Sequence, residues 1–373
     1  MPRVTVPASP LPLRSMLAAC ALAALTGCAT LADGHIRPGQ LDFNRHLVET
    51  LDEQLLLNLV RLRYRDTPYF IEVSNITTQQ AVSGSAGLAV PLAIPDPFGA
   101  GRSLVTPNLG GSFSYAPTVV YAPLQGEAFV RRLVAPVPLL AAVVLSQSGW
   151  SIARVLRLTV DRINSVRNAP SAAGPTPLLA PDFSDFKRLT DELRRLQVAD
   201  QVAFSPLGGA DDQGFLLLLD KNPSAADANA DIKALLGLNP DVERIPLARD
   251  FTQPEHDRVT LRMRSVLSSM FYLSQAVDVP PEHEAQGLVT VTRNADGSRF
   301  DWHHVMGDLF QVHSGPSAPE RVAVKVLHRG WWYWIDDADL ESKTTFQLLV
   351  QLFSMQASHR DQLVPMLTLP VAR

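Results

Sequence analysis

Residues 202–220, VAFSPLGGADDQGFLLLLD, decide the fold class of this chain. Two short apolar runs flank a turn that is rich in Gly and Asp, a pattern that predicts two antiparallel strands. A helical segment follows at 229–238, and two further strands are predicted at 243–250 and 257–264. Because strands and helices are interspersed without the regular spacing of βαβ units, we predict an α+β fold with a mixed, mainly antiparallel sheet and packed helices.

Outward from this stretch, the spacing of apolar residues predicts further elements. Residues 126–150 predict a helix with a proline kink, and 151–168 predict an uninterrupted amphipathic helix. Residues 323–336, AVKVLHRGWWYWID, predict one strand, and 340–356 predict the last long helix. An N-terminal helix is predicted before Pro68, with one apolar stripe formed by Leu47, Leu51, Leu55, Leu59 and Leu62.

The segment 73–126 is almost free of charge, since Asp96 and Arg102 are the only charged residues among its 54. From 82 to 94 apolar residues alternate with small or polar ones, the period-two pattern of a β-strand. A turn at 95–101 and a returning arm complete a long, uncharged β-hairpin. This hairpin either enters an outer membrane, where a strand needs only ~9–11 residues, or covers the protein's own core or forms a mobile Gly/Ser flap. We favour the second interpretation, because Pro91, Pro107 and Pro117 interrupt regular strand pairing.

The N-terminus has the pattern of a secretory signal. Arg3 and Arg14 precede an apolar run of ten residues, Met16–Leu25. As a helix this run spans only ~15 Å, which is too short for a hydrocarbon core of ~30 Å and is typical of a signal peptide.

The apolar run ends in Leu25-Thr26-Gly27-Cys28, which resembles the lipobox of bacterial lipoproteins. The resemblance implies cleavage between Gly27 and Cys28 and acylation of the Cys28 thiol. Two or three acyl chains make a stable membrane anchor, which one chain does not. Ala29 rather than Asp follows the cysteine, and by the same resemblance this implies sorting to the outer membrane, facing the periplasm. The alternative is an ordinary secretory signal with a chance cysteine.

These patterns divide the chain of 373 residues, whose length is consistent with roughly two domains. A Pro/Ala-rich stretch after residue 168 is the best candidate for a linker or a long surface loop. The predicted segments are a signal peptide (1–27), a lipidated tether (28–40), an N-terminal helical region with the hairpin 73–126 (41–168), a linker (169–181) and a C-terminal α+β domain (182–373).

Composition limits the chemistry and the partners. The chain has two cysteines; Cys20 leaves with the signal and Cys28 is lipidated, so the mature protein has no thiol for a disulfide, a metal site or a nucleophile. Cleavage removes two arginines and no acidic residue, so the formal net charge falls from −4 to −6. Without a basic block, the sequence argues against nucleic acid as the main partner.

No catalytic or cofactor signature is present, so we nominate no catalytic residue, no cofactor and no metal ligand. Asp337, Asp339 and Glu341 begin like a calcium loop, but the loop glycine and the twelfth-position glutamate are absent. The better explanation is that Asp339 or Ser342 caps the last helix.

The tryptophans and histidines admit two interpretations each. Trp331, Trp332 and Trp334 form either a sugar-binding platform or, as we favour, a large core anchor. His283, His303 and His304 lack the spacing of metal-ligand pairs, and we predict that they are isolated surface residues. The arginines at 61, 63 and 65 complement a helix dipole, with an anionic headgroup as the alternative.

Three stretches, 55–70 (LLLNLVRLRYRDTPYF), 121–129 (YAPLQGEAF) and 340–353 (LESKTTFQLLVQLF), resemble outer-membrane lipoproteins of proteobacteria, a resemblance that implies no activity. We predict a non-enzymatic, lipid-anchored protein at the periplasmic face of the outer membrane. It would be a structural or accessory part of an envelope assembly, with an envelope protein or its own copies as partner. Two alternatives stay open: a subunit of an oligomeric outer-membrane channel that uses the hairpin 73–126, and an envelope glycan-binding protein or hydrolase that uses 331–337.

Overall fold

The computed structural model describes residues 41, 44–89, 106–207, 214–248 and 256–357. Its helices and its mixed, mainly antiparallel sheets confirm the α+β class. A smaller unit, Tyr69–Arg132, contains a two-stranded hairpin. A larger unit is formed by the described residues before Tyr69 and after Arg132, and it holds the remaining sheets.

The helices and strands follow one another irregularly along the chain. The helices are α1 (44–63), α2 (Glu127–Val134), α3 (Leu139–Gln147), α4 (Ile152–Thr159), α5 (Ser184–Val198), α6 (Ala226–Leu236), α7 (Val266–Ser274), α8 (Pro281–Ala285), α9 (His303–Met306) and α10 (Leu340–Ala357). The strands are β1 (Ile71–Ala89), β2 (Thr106–Pro123), β3 (Val160–Ile163), β4 (Val166–Arg167), β5 (Val202–Pro206), β6 (Phe215–Leu219), β7 (Arg244–Ala248), β8 (Val259–Met263), β9 (His313–Gly315), β10 (Val322–His328) and β11 (Trp331–Asp336). Short 3-10 helices lie at Pro170–Ala173 and Pro223–Ala225.

The larger unit is built on a six-stranded sheet with the order β4-β3-β8-β7-β6-β5. Its neighbours are antiparallel except β7 and β8, which are parallel. The strand pair predicted at 202–220 is confirmed as β5 and β6. Apolar side chains of α4, α5 and α6 meet those of the sheet around a small common space, and burying them stabilises the unit. A second sheet has the order β10-β11-β9.

The helix predicted over 151–168 is wrong in its second half. Helix α4 ends at Thr159, and Val160 begins strand β3, which turns back into β4. Asn164 makes this turn with a positive φ of 48°, and its amide group bonds the carbonyl of Leu236 and the backbone N–H of Thr260. Asn tolerates this backbone region better than most residues, and β-branched neighbours favour strands, so pairing with β8 outweighs the helical spacing.

The single strand predicted over 323–336 is also wrong, because it is two strands. Strands β10 and β11 pair antiparallel around Arg329 and Gly330, with His328 opposite Trp331. Both turn residues have positive φ, 51° and 82°, as a two-residue hairpin of type I′ requires. In the same way, the predicted kinked helix 126–150 is two helices, α2 and α3, with Pro136 and Pro138 between them.

The stretch predicted as a linker, 169–181, lies in the larger unit of the structure. Ala169, Ala172 and Thr176 are buried, and Leu179 forms a β-bridge with Arg293. Parts of this Pro/Ala-rich segment are therefore packed against the rest of the larger unit.

An ion pair joins α4 to the region after α9. The buried guanidinium of Arg157 donates to both carboxylate oxygens of Asp308, each at 2.9 Å, and to the carbonyl of Val305 at 2.7 Å. The Nζ atom of Lys187 lies 3.1 Å from Asp308 Oδ2. This bidentate geometry is the strong form of a charge-assisted hydrogen bond.

The Asp308 carboxylate makes the stability of the protein depend on pH in the acidic range. Partial burial by itself raises the pKa of Asp308, but the hydrogen bonds and charges of Arg157 and Lys187 outweigh burial and lower the pKa from 3.8 to about 2. A depressed pKa contributes stability that is present above the unfolded value and is lost as pH falls through the folded value. We expect the urea midpoint to fall more steeply between pH ~4 and ~2 in the natural protein than in Asp308→Asn. Superimposable acid limbs for the two proteins would contradict this assignment.

Candidate functional site

The hairpin of the smaller unit is a two-stranded ribbon, and we use that name for Ile71–Ala89 and Thr106–Pro123. The strands pair from Ile71 opposite Pro123 to Ala89 opposite Thr106, with a register shift between Val73 and Asn75. At ~3.4 Å a residue, strands of 18 and 19 residues extend ~60 Å. Within the described part of the chain, β1 and β2 pair only with each other.

The ribbon has two outer edges, one on each strand, that pair with no other strand of the described chain. A strand at a sheet edge presents a row of backbone N–H and C=O groups that can pair with another chain. An isolated two-stranded hairpin is marginally stable in water, so a ribbon of this length gains stability from additional strands. The strand pairing shows that the predicted long hairpin is present. Its unpaired backbone edges are its main chemical feature.

The larger unit contains a polar cavity with a volume of about 460 Å³. It lies between the end of α1, the chain after α7, helix α8 and the region around α9. We define the polar cavity by six lining residues that carry its chemistry: Arg63, Gln275, Glu284, Arg299, Phe300 and Trp302.

Arg63 brings a buried positive charge to this cavity. It is 4% exposed at the C-terminal end of α1, and its Nη1 atom donates to Thr176 Oγ1 at 2.9 Å and to the carbonyl of Thr290 at 3.2 Å. Burial lowers the pKa of Arg63 from its usual value to about 10, so the guanidinium stays charged at neutral pH. Its Nε atom is buried without a hydrogen-bond partner among the described residues.

Gln275 brings an unsatisfied acceptor to the cavity. Its side chain is buried, and its Nε2 atom donates to the carbonyl of Phe271 at 3.0 Å. Its Oε1 atom has no hydrogen-bond partner in the part of the chain that the structure describes. A buried polar atom without a partner costs ~1–3 kcal/mol, so Gln275 favours occupancy by a group that donates a hydrogen bond.

Aromatic and charged groups complete the wall. The rings of Phe300 and Trp302 meet edge to face with centroids 5.2 Å apart, and Trp302 Nε1 donates to Thr292 Oγ1 at 3.2 Å. Glu284 accepts from Arg299 Nη2 at 2.7 Å. The cavity thus combines apolar ring surface with both signs of charge.

A buried network braces two sides of the cavity. The Tyr64 hydroxyl hydrogen-bonds to Nδ1 of His283 and to the Tyr333 hydroxyl, both at 2.6 Å. Burial raises the pKa of Tyr64, and burial together with the Tyr64 hydrogen bond raises that of Tyr333, so both phenols are neutral at physiological pH. Tyr64 adjoins Arg63 and His283 adjoins Glu284 in the chain, so this network fixes the backbone that carries both charged groups.

The structure corrects the predicted environment of one histidine. His303 and His304 are exposed as predicted, but His283 is 6% exposed and lies between Tyr64 and the ring of Trp331. The prediction failed because the buried partner of His283 is 219 positions away in sequence, beyond any local spacing.

The acidic run before α10 has a structural role. Asp339 Oδ1 accepts from the backbone N–H of Ser342 at 3.0 Å, which confirms the predicted cap of the last helix. Asp337 pairs with Lys343. Among the described residues, no group of three His, Cys, Asp or Glu side chains is arranged to hold a metal ion.

The aromatic strand β11 packs differently from the prediction. Tyr333 and Ile335 form its buried face, whereas Trp332 and Trp334 on the other face are only half buried. The tyrosine, not the tryptophans, is the core anchor. Lys325 Nζ lies 5.6 Å from the Trp332 ring centroid, a distance within the range of cation–π contacts.

Gly27 and Cys28, the predicted cleavage and lipidation residues, lie outside the described residues. Within the described ranges, none of the helices has the length and apolar character needed to cross a membrane. The chain matches no family model, no curated protein and no solved structure.

Sequence reasoning missed the polar cavity. In the sequence, Arg63 belongs to an arginine cluster at the end of the first predicted helix, and Gln275 belongs to no motif. The sequence does contain a signal for Arg63. This arginine follows Leu59 by four positions and therefore lies on the apolar face of the predicted N-terminal helix, where a charged residue is unusual. No comparable sequence signal distinguishes Gln275.

Proposed function

We propose that this chain is a lipid-anchored, non-enzymatic component of an outer-membrane assembly, and that the ribbon joins it to further copies of itself. The lipobox at Cys28 supports the anchor, and Ala29 supports the outer membrane as its location. One observation carries the assembly role: a ribbon of 18 and 19 residues whose strands pair, within the described chain, only with each other.

The two edges of the ribbon differ, because β1 forms one and β2 forms the other. When the β1 edge of one copy pairs with the β2 edge of the next, each copy makes the same two contacts. Such a head-to-tail interface repeats until the rotation closes a ring. Copies of this chain are therefore the partners that fit the ribbon with no further component.

Truncating the ribbon tests this proposal. Ile76 stands opposite Val119, so removing residues 77–118 and joining these two by Asn-Gly preserves the hairpin register. In size-exclusion chromatography with light scattering, we expect the natural protein, extracted in detergent, to be a discrete oligomer and the truncated protein a monomer. Tryptophan fluorescence should be unchanged, because the five tryptophans lie outside the deleted segment.

A matched control keeps both edges and replaces only 90–105 with a short Gly/Ser linker; it should remain oligomeric. A monomeric natural protein, or an oligomer that survives truncation, would overturn the assembly role. A truncated protein that unfolds would instead assign the hairpin to this protein's own core.

An oligomeric outer-membrane channel is the second candidate, and the composition of the ribbon favours it. Val73–Ala89 and Thr106–Pro123 contain no Asp, Glu, Lys or Arg. Each arm exceeds the ~9–11 residues that a membrane strand needs. Conductance of the purified oligomer in planar bilayers, absent after ribbon truncation, distinguishes a channel from a scaffold.

A further inference from the structure

We propose that the polar cavity of the larger unit binds a short, neutral saccharide. This binding role is separate from assembly through the ribbon, because every lining residue belongs to the larger unit. The volume of the polar cavity, about 460 Å³, falls within the ~300–1,000 Å³ of small-molecule sites.

The hydrogen-bonding groups of the cavity point to hydroxyl-bearing ligands. Gln275 Oε1 is an acceptor without a partner, and Arg63 Nε is a donor without a partner, among the described residues. A hydroxyl group both donates and accepts, so neighbouring sugar hydroxyls can satisfy both kinds of group. A fully deprotonated anion, such as a carboxylate or sulfate, could accept from Arg63 but could not donate to Gln275.

The charges of the cavity disfavour an anionic ligand. Arg63 and Arg299 supply two positive charges, and Asp278, Glu284 and Asp301 supply three negative ones. Glu284 and Arg299 already neutralise each other at 2.7 Å. Arg63 then remains with Asp278 and Asp301, a net charge of −1, which gives a phosphate-bearing ligand no net attraction.

The aromatic residues supply the apolar part of the site. Phe300 and Trp302 line the same cavity and are fixed by their edge-to-face contact. A pyranose ring presents C–H groups as well as hydroxyls, so aromatic surface beside a guanidinium and an amide matches both parts of a sugar.

Calorimetric titration of the full lipidated protein tests the proposal. N-acetylglucosamine, diacetylchitobiose, maltose and inorganic phosphate are the probes, and the detergent is lauryldimethylamine oxide, whose headgroup contains no sugar. We expect one-to-one binding of at least one saccharide, and no phosphate binding. In Gln275→Met, which keeps the side-chain length, the saccharide should bind at least ~10-fold more weakly, a loss of ~1.4 kcal/mol.

Arg299→Ala is a second variant at an exposed position, and it should also weaken binding at least ~5-fold without affecting folding. Arg321→Ala removes an exposed arginine that does not line the cavity, and it should bind as the natural protein does. Three results would each overturn the proposal: no heat of binding from any saccharide at ~10 mM, binding of phosphate but of no saccharide, or saccharide affinities of Gln275→Met and Arg299→Ala equal to that of the natural protein. Urea midpoints of all variants show that each retains its fold.

Discussion

We expect the replacement of Arg264 with methionine to lower the free energy of unfolding by about 3 kcal/mol, which urea denaturation followed by tryptophan fluorescence will measure. Arg264 is 2% exposed at the end of β8, among the largest fully buried side chains of the described protein. Methionine fills most of the same space, so the loss reports hydrogen bonds and charge rather than an empty volume.

The guanidinium of Arg264 joins three parts of the larger unit. It donates to the carbonyls of Arg157 and Asn168, and it lies 4.0 Å from the centroid of the Tyr272 ring. Without it, Asn168 loses this charged donor, at a cost of ~1–3 kcal/mol, and a buried cation–π contact worth ~2 kcal/mol disappears. The carbonyl of Arg157 keeps the Asn168 amide as a donor.

One effect opposes this loss. Burial disfavours the charged form of Arg264 and lowers its pKa, so removing the charge relieves a desolvation cost. We expect the hydrogen bonds to prevail because the charge faces two carbonyl oxygens and an aromatic ring. An Arg264→Met protein as stable as the natural one would show that desolvation cancels them.

Arg262→Met is the matched control, two positions earlier and within β8. Its side chain is 57% exposed, and its Nε atom lies 3.5 Å from Asp161 Oδ2. Arg262 is exposed but the Asp161 side chain is only 9% exposed, so we expect the control to lose about 1 kcal/mol, clearly less than Arg264→Met. A comparable loss in both variants would trace the effect to strand propensity rather than to burial of the charge.

The elements that the sequence predicts correctly are those with local signals. Strands β5 and β6 follow from two apolar runs around a Gly/Asp turn, and α6 ends at Leu236 before Gly237, whose φ of 66° suits glycine. The failures arise where a distant strand competes with local spacing. Residues 160–163 fit a helix face, but their pairing with β8, about 100 positions later, makes them a strand.

The candidate site was less accessible to sequence reasoning than the fold. The polar cavity joins Arg63 to residues 212 or more positions later, and none of its members belongs to a motif with fixed spacing. The ribbon was accessible, because period-two alternation and lack of charge are local properties. Its separation as a unit, Tyr69–Arg132, depends on contacts that a local pattern does not encode.

Replacing Cys28 with serine should abolish acylation and outer-membrane attachment together. A hydroxyl cannot form the thioether that the lipobox implies, so metabolic labelling with palmitate should fall to background. The protein should then keep its 27-residue signal and leave the outer-membrane fraction of a density gradient. The effect is all-or-none because burial of acyl chains, ~0.8 kcal/mol per CH₂, is the attachment we propose.

Cys20→Ser is the matched control for Cys28→Ser, since Cys20 is the other cysteine of the chain and lies within the apolar run. It should incorporate palmitate and fractionate as the natural protein does. Label that persists in Cys28→Ser would contradict the lipobox assignment.

Ala29→Asp separates lipidation from sorting, because it leaves the cysteine in place. By the resemblance that assigns the outer membrane, the Ala29→Asp protein should take up palmitate fully and move to the inner-membrane fraction. If the labelled Ala29→Asp protein stays in the outer membrane, the anchor is retained but Ala29 does not determine its location. In that case the ribbon becomes the better explanation of where the protein resides, and truncating it in the Ala29→Asp background should release the protein from the outer-membrane fraction.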